Sequence, residues 1–158
     1  MFRKMTRSKQ QLSQEECVEI LKSEPRGVLS VLGDDEYPYG VPIDHWYCEE
    51  DQKLYFHSGK NGHKMDSIKK HDKVSYCVYD EGYRKEGEWA LNIRSVIVFG
   101  RVKLIEDHER AIDICRKLSL KYTSDMDYIE KEIQNSGANV ACFELIPEYM
   151  TGKIVNES

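Results

Sequence analysis

The run Gly27-Val28-Leu29-Ser30-Val31-Leu32, the tetrad Gly33-Asp34-Asp35-Glu36 and the alternating segment from Tyr37 to Cys48 together spell a β-hairpin. An apolar strand meets a turn-rich tetrad and returns as a strand of period two. In the returning strand Tyr37, Tyr39, Val41, Ile43, His45 and Tyr47 share one face. Pro38 and Pro42 have no N–H to give a ladder, which places this strand at a sheet edge or across a bulge. Backbone near Pro42 is then free to meet a ligand.

Upstream of the hairpin, Ser13 and Glu16 form a capping box, Leu12 staples onto Cys17, and the helix they start buries Cys17, Ile20 and Leu21 before ending ahead of Pro25. Downstream, a third strand runs from Lys53 to Ser58 and a short helix from Asn61 to His71, with Met65 and Ile68 turned inward. A fourth strand, Lys73 to Asp80, precedes a polar loop from Glu81 to Glu88. Ile93 to Ile105 is a long strand, and Gly100 within it suits a bend or bulge where a sheet closes on itself. Helices are expected over Asp107 to Tyr122, with Ala111, Cys115, Leu118 and Tyr122 on one face, and over Asp125 to Gln134, before a last strand from Asn139 to Ile146. Tight turns between consecutive strands predict antiparallel pairing, so the fold class is α+β: a small antiparallel barrel with flanking helices.

With 158 residues the chain fits one domain spanning 1–158, whose first ten residues, with basic Arg3, Lys4, Arg7 and Lys9, read as a frayed N-terminal arm. Twenty-three basic against 28 acidic residues leave a net charge of −5, which argues against general attraction to nucleic acid. The five cysteines are scattered without metal-ligand spacing, so neither a disulfide framework nor a metal site is expected and a reducing compartment fits best. No apolar run has the length of a signal peptide core or a membrane span, and a cytoplasmic location is expected.

The loop from Ser58 to Lys64 sets a hydroxyl, two glycines and two lysines between a strand end and a helix start, a place that suits an anion. Spacing alone leaves a solvated polar loop as the simpler reading, because neither a P-loop nor Gly-x-Gly-x-x-Gly is present. Arg94 and Ser95 offer another cation and donor. His45, His57, His63 and Trp46 are chemically capable. Packing roles account for them as well: His63 and His71 fall on a solvated helix face and Trp46 in packing. No catalytic residue is assigned.

Several separate stretches nonetheless agree on one resemblance. Tyr39-Gly40-Val41-Pro42-Ile43, Leu54-Tyr55-Phe56-His57-Ser58, Gly62-His63-Lys64-Met65-Asp66, Arg94 to Val102 and Met150-Thr151-Gly152-Lys153 resemble the nitroimidazole-resistance flavoproteins of the pyridoxamine 5′-phosphate oxidase-like superfamily. The resemblance implies an FMN-binding split β-barrel that dimerises, with FMN at the subunit interface. It implies that backbone of Val41, Pro42 and Ile43 faces the flavin ring and that His57, Ser58, Gly59 and Lys64 hold the ribityl phosphate, with Arg94, Ser95 and Trp89 supplied by the partner. The polar loop from Tyr83 to Trp89 departs from the family pattern and is a candidate for shaping substrate access.

The function so implied is an FMN-dependent oxidoreductase that passes electrons from a reduced nicotinamide nucleotide, NAD(P)H, to a small planar or nitroaromatic acceptor. The alternative is a non-enzymatic module on the same fold that stores or senses FMN or haem, and a purely structural role is the weakest choice.

Overall fold

A computed structural model describes residues 1–157; Ser158, the last residue of the expected domain, lies outside the described residues. The elements in chain order are α1 (Gln14–Ser23), β1 (Arg26–Leu32), β2 (Pro38–Asp44), β3 (Trp46–Cys48), β4 (Lys53–Gly59), α2 (His63–Lys70), β5 (Lys73–Tyr79), β6 (Leu91–Leu104), α3 (His108–Leu120), α4 (Met126–Ser136) and β7 (Val140–Glu157). The strands form one antiparallel sheet in the order β2-β1-β5-β6-β7-β4-β3. Its two edges, β2 and β3, are consecutive in the chain. The sheet therefore curls into a split barrel, and the helices flank it.

The edge position expected from Pro38 and Pro42 holds, but the strand expected to run unbroken to Cys48 is two strands divided at His45. The expected shared face holds from Tyr39 to Tyr47, whose Tyr39, Val41, Ile43 and Tyr47 pack on the core that His45 also enters, while Tyr37 is exposed. His45 is fully buried there, with Nδ1 2.6 Å from the Tyr76 hydroxyl and Nε2 2.6 Å from the Leu21 carbonyl. Since a carbonyl only accepts, Nε2 carries the proton and Nδ1 accepts from Tyr76. Burial, with the Lys121 charge nearby, pushes the imidazole pKa down to about 4, which keeps it neutral. From outside, the Lys121 ammonium donates to the carbonyls of Glu24 and His45 at 2.7 and 2.8 Å, and the Tyr122 hydroxyl donates to Pro25 O. One residue thus ties the barrel corner to α1 and to the end of α3. Tyr122, expected on the buried face of α3, instead lies just past its end, at the surface.

Leu29, Val31, Leu54, Phe56, Tyr76, Val96, Val98, Phe143 and Leu145 fill the barrel, with Phe56 stacked on Phe143 at 5.0 Å. The capping box at Ser13 and Glu16 forms as read, and Cys17, Ile20 and Leu21 close one end of the core. A second cluster, Tyr55, Ala111, Ile114, Cys115 and Cys142, seats α3 on the outer face of β4 and β7. Arg110 and Lys53 both donate to the buried Glu144 carboxylate, at 3.0 and 3.3 Å, and fasten the same contact.

The last strand does not stop at Ile146 but continues through Pro147 to Glu157. Gly100 pairs with Pro147 and Phe99 with Tyr149, so Glu148 is the extra residue of a bulge, and a proline there breaks no ladder bond. The bend expected at Gly100 is this bulge. The N-terminal arm, expected to fray, lays Phe2 against Tyr149 and Phe99 at 5.1 and 5.6 Å, and the Leu12 amide donates to Gly152 O. Among the described residues no helix is long and apolar enough to cross a membrane.

Two outcomes test this architecture. The unfolded chain takes up its His45 proton near pH 6.5 and the folded chain only near 4, so stability falls as pH drops through that window. Urea unfolding between about pH 7 and 4 should cost the wild type about 3 kcal/mol more than it costs His45→Gln; equal losses would refute the buried neutral imidazole. At the bulge, a Cβ on Gly100 would meet Ile146 O at 2.2 Å and Leu145 Cδ1 at 2.9 Å. Gly100→Ala should therefore lower stability by about 1–3 kcal/mol, measured by the same unfolding curves.

Candidate functional site

β3 pairs only with Lys53, Leu54 and Tyr55 of β4. From Phe56 to Gly59, β4 has β7 on one side and no strand on the other. β2 comes close to β4 across this gap without pairing. The split in the barrel is thus a seam whose two lips are the segments singled out in the sequence: Val41, Pro42 and Ile43 on β2, and His57, Ser58 and Gly59 on β4. Val41 is half-buried, Pro42 exposed and Ile43 buried against the core.

α2 starts at the foot of the seam. Its N-cap is Gly62, with φ of +125° and no side-chain cap, so the first amides of the helix, which have no intrahelical partner, are not met by a capping side chain either. Only glycine takes that φ without strain. A Cβ placed on Gly59 or Gly62 would meet nothing within 4 Å, so the backbone there is open to approach. Lys64 is half-buried, and desolvation lowers its pKa. His57 is exposed along the seam yet crowded enough that desolvation lowers its pKa; Asp44 pulls it upward and Lys64 lowers it further. The foot of the seam therefore offers free backbone donors and a partly desolvated cation, the ingredients of an anion site.

His63 is exposed on α2, as expected, and its ring also stacks on Tyr39 with centroids 4.2 Å apart, while its Nε2 accepts from the Asp34 amide at 3.2 Å. This contact was not legible in the sequence, because the partners lie on different elements. Trp46 packs on Tyr55 at 5.3 Å with the Lys117 ammonium above its ring. A cavity of about 260 Å³ opens beside His57, between α3, α4 and the sheet, walled by Ile112, Cys115, Tyr128, Ile129, Ile133 and Val140. No periodicity announced it, since it lies where two helices and a sheet fail to close.

Arg94, Ser95 and Trp89 do not join this site within one chain. Arg94 pairs with Ile154 of β7, whereas Ser58 pairs with Ala141. Thirteen positions of β7 separate them, and toward the other lip β5 and β1 lie between Arg94 and β2. The Arg94 guanidinium is held by Asp80, which accepts from Nε at 2.8 Å and from the Arg94 amide at 2.9 Å. Ser95 pairs with Tyr79 and Lys153, and Trp89 projects into solvent, 74% exposed.

The profile of the pyridoxamine 5′-phosphate oxidase family matches residues 13–154, nearly the whole chain. The chain belongs to this family. Solved structures similar to this family member share its fold at low identity. A candidate 5-nitroimidazole antibiotic resistance protein from Bacteroides thetaiotaomicron superposes with a TM-score of 0.78 at 21% identity, covering 93% of this chain and 87% of that one. An FAD-binding protein from Mesorhizobium loti gives 0.65 at 24% identity, covering 92% and 96%. An FAD-binding protein from Mycobacterium smegmatis gives 0.65 at 18%, covering 94% and 99%. No curated protein matches the sequence.

Asp80 also accepts from the Gly82 amide, so its one carboxylate fixes both Arg94 and the start of the polar loop. Asp80→Ala should lower stability by about 1.5–3 kcal/mol and raise the hydrogen-exchange rate of residues 81–92. Unchanged exchange would mean that the Tyr83–Asn92 bridge holds the loop without it.

Proposed function

We propose that this chain is a flavoprotein that binds FMN at the seam between β2 and β4 and works as an oxidoreductase. One observation carries the reading. In a chain of this family, an open strand edge, an uncapped helix start and a half-buried lysine meet at a single place. The flavin binding of the Mesorhizobium and Mycobacterium smegmatis neighbours supports it. FMN rather than FAD follows from the resemblance to the nitroimidazole-resistance flavoproteins.

The residues fit a flavin phosphate. Gly59 and Gly62 leave the backbone uncovered, and the amides at the start of α2, with Ser58 and Lys64, would hold the phosphate oxygens. Backbone of Val41 to Ile43 would meet the ring, and His57 would join Ser58, Gly59 and Lys64 at the phosphate. Bound flavin would supply hydride and electron transfer between a reduced nicotinamide nucleotide and a small planar acceptor such as a nitroaromatic. The share of the chain is to fix the flavin and to shape its access, which requires no acid–base dyad.

We read the working unit as a homodimer with a flavin at each subunit interface. Arg94 and Ser95 lie on β6, with β5 and β1 between them and the β2 lip and with the Arg94 guanidinium engaged by Asp80, and Tyr79, Tyr83 and Trp89 are exposed near the same end. A partner related by a twofold axis would bring those residues to the seam and cover the aromatics.

The purified protein should show flavin bands after addition of FMN, elute from gel filtration as a dimer, and bleach with reduced nicotinamide nucleotide under anaerobic conditions. A colourless protein that ignores FMN overturns the reading; flavin that NAD(P)H does not bleach leaves a binder, and an intense violet band would indicate haem instead. Lys64→Ala should weaken FMN binding about tenfold to a hundredfold, the loss of one charge-assisted contact, as read by flavin fluorescence titration.

A further inference from the structure

α2 is anchored along its length by Met65 and Ile68, which enter the barrel core. Its first two residues, His63 and Lys64, do not enter that core. Gly62 provides no cap, and the contacts that fix the helix start come from the β1–β2 hairpin through His63. The His63 ring lies on Tyr39 at 4.2 Å and 21°, and the Asp34 amide donates to its Nε2 at 3.2 Å. Gly33 makes room for this packing, since a Cβ there would meet His63 Nε2 at 2.9 Å, Tyr37 O at 2.9 Å and Tyr39 Cβ at 3.0 Å.

Tyr39 stands two residues before Val41 on the same strand. β2 therefore carries the backbone proposed to meet the flavin ring and also grips the helix start proposed to meet the phosphate. We infer that the stack of Tyr39 on His63 is the positioning device that sets the distance between the two ends of the flavin site. It acts as a clamp: neither ring needs to touch the flavin, but the clamp holds the amides at the start of α2 where a phosphate can reach them. The inference rests on the flavin reading and adds to it residues outside the phosphate contact itself. With the clamp removed, Met65 and Ile68 keep α2 docked, and only the residues ahead of Met65, Gly62 to Lys64, gain freedom.

Riboflavin has the same ring and ribityl chain as FMN but no phosphate, so the pair isolates the phosphate end. Fluorescence titrations of both flavins with the full chain, its Tyr39→Leu, His63→Ala and Gly33→Ala variants, and Tyr39→Phe decide the matter. The first three should weaken FMN binding about tenfold, the worth of one aromatic stack, and leave riboflavin within about twofold. Tyr39→Phe keeps the stack and should match the wild type. Should His63→Ala not fold, Tyr39→Leu carries the same comparison. Variants that bind FMN as the wild type does, or lose FMN and riboflavin equally, overturn the clamp while the flavin reading stands. A wild type that binds neither flavin overturns both.

Discussion

A sheet whose two edges are one continuous chain must turn at the residue that joins them, and here that residue is His45. The turn drives a polar ring into the core, where it would cost several kcal/mol unless both nitrogens found partners. Leu21 O and the Tyr76 hydroxyl meet that need, and the second of these also lies 3.0 Å from Ile43 O. Burial raises the Tyr76 pKa, so its hydroxyl keeps the proton that the imidazole accepts. The corner is consequently a neutral, saturated network. Outside it, burial lowers the Lys121 pKa to about 8, yet the ammonium can donate to two carbonyls that no strand partner reaches.

The seam follows from that corner. Because the chain spends a residue on turning, β3 is three residues long and covers only the first part of β4. The remainder of β4 keeps an unpaired side facing β2, itself an edge. Unpaired strand edges are normally hazards for aggregation. Here one edge carries two prolines and the other runs into a glycine-rich turn, so neither presents an uninterrupted ladder to another chain. The features that make these edges safe are those that make them fit to meet a ligand.

Local patterns were legible wherever a signal and its physical cause lie within a few residues. The capping box at Ser13, the bulge at Gly100 and the edge character given by Pro38 and Pro42 are of this kind. What escaped is non-local. Alternation through Tyr37 to Cys48 reads as one strand, and the break at His45 becomes visible only when β2 and β3 are seen to pair with different neighbours. Pro147 reads as a strand end, since the bulge that accommodates it is set by Gly100, nearly fifty positions upstream. The suitability of Ser58 to Lys64 for an anion was visible as composition, but the stacking of Tyr39 on His63 at its helix start was not.

The glycines separate fold from site on physical grounds. At Gly27, Gly100 and Gly152 a methyl group would meet backbone or side chain at 2.6 Å or less, so packing explains their size. Gly59 has no such reason. It ends a strand with no atom within 4 Å of a would-be Cβ and without a positive φ, where alanine would stabilise by roughly 0.5–1 kcal/mol through the unfolded chain. A residue that packing and dihedral both leave free to be larger leaves its backbone open to approach from outside, which is what the proposed flavin site requires. Its position, between Ser58 and the uncapped start of α2, puts that approach where the amides point.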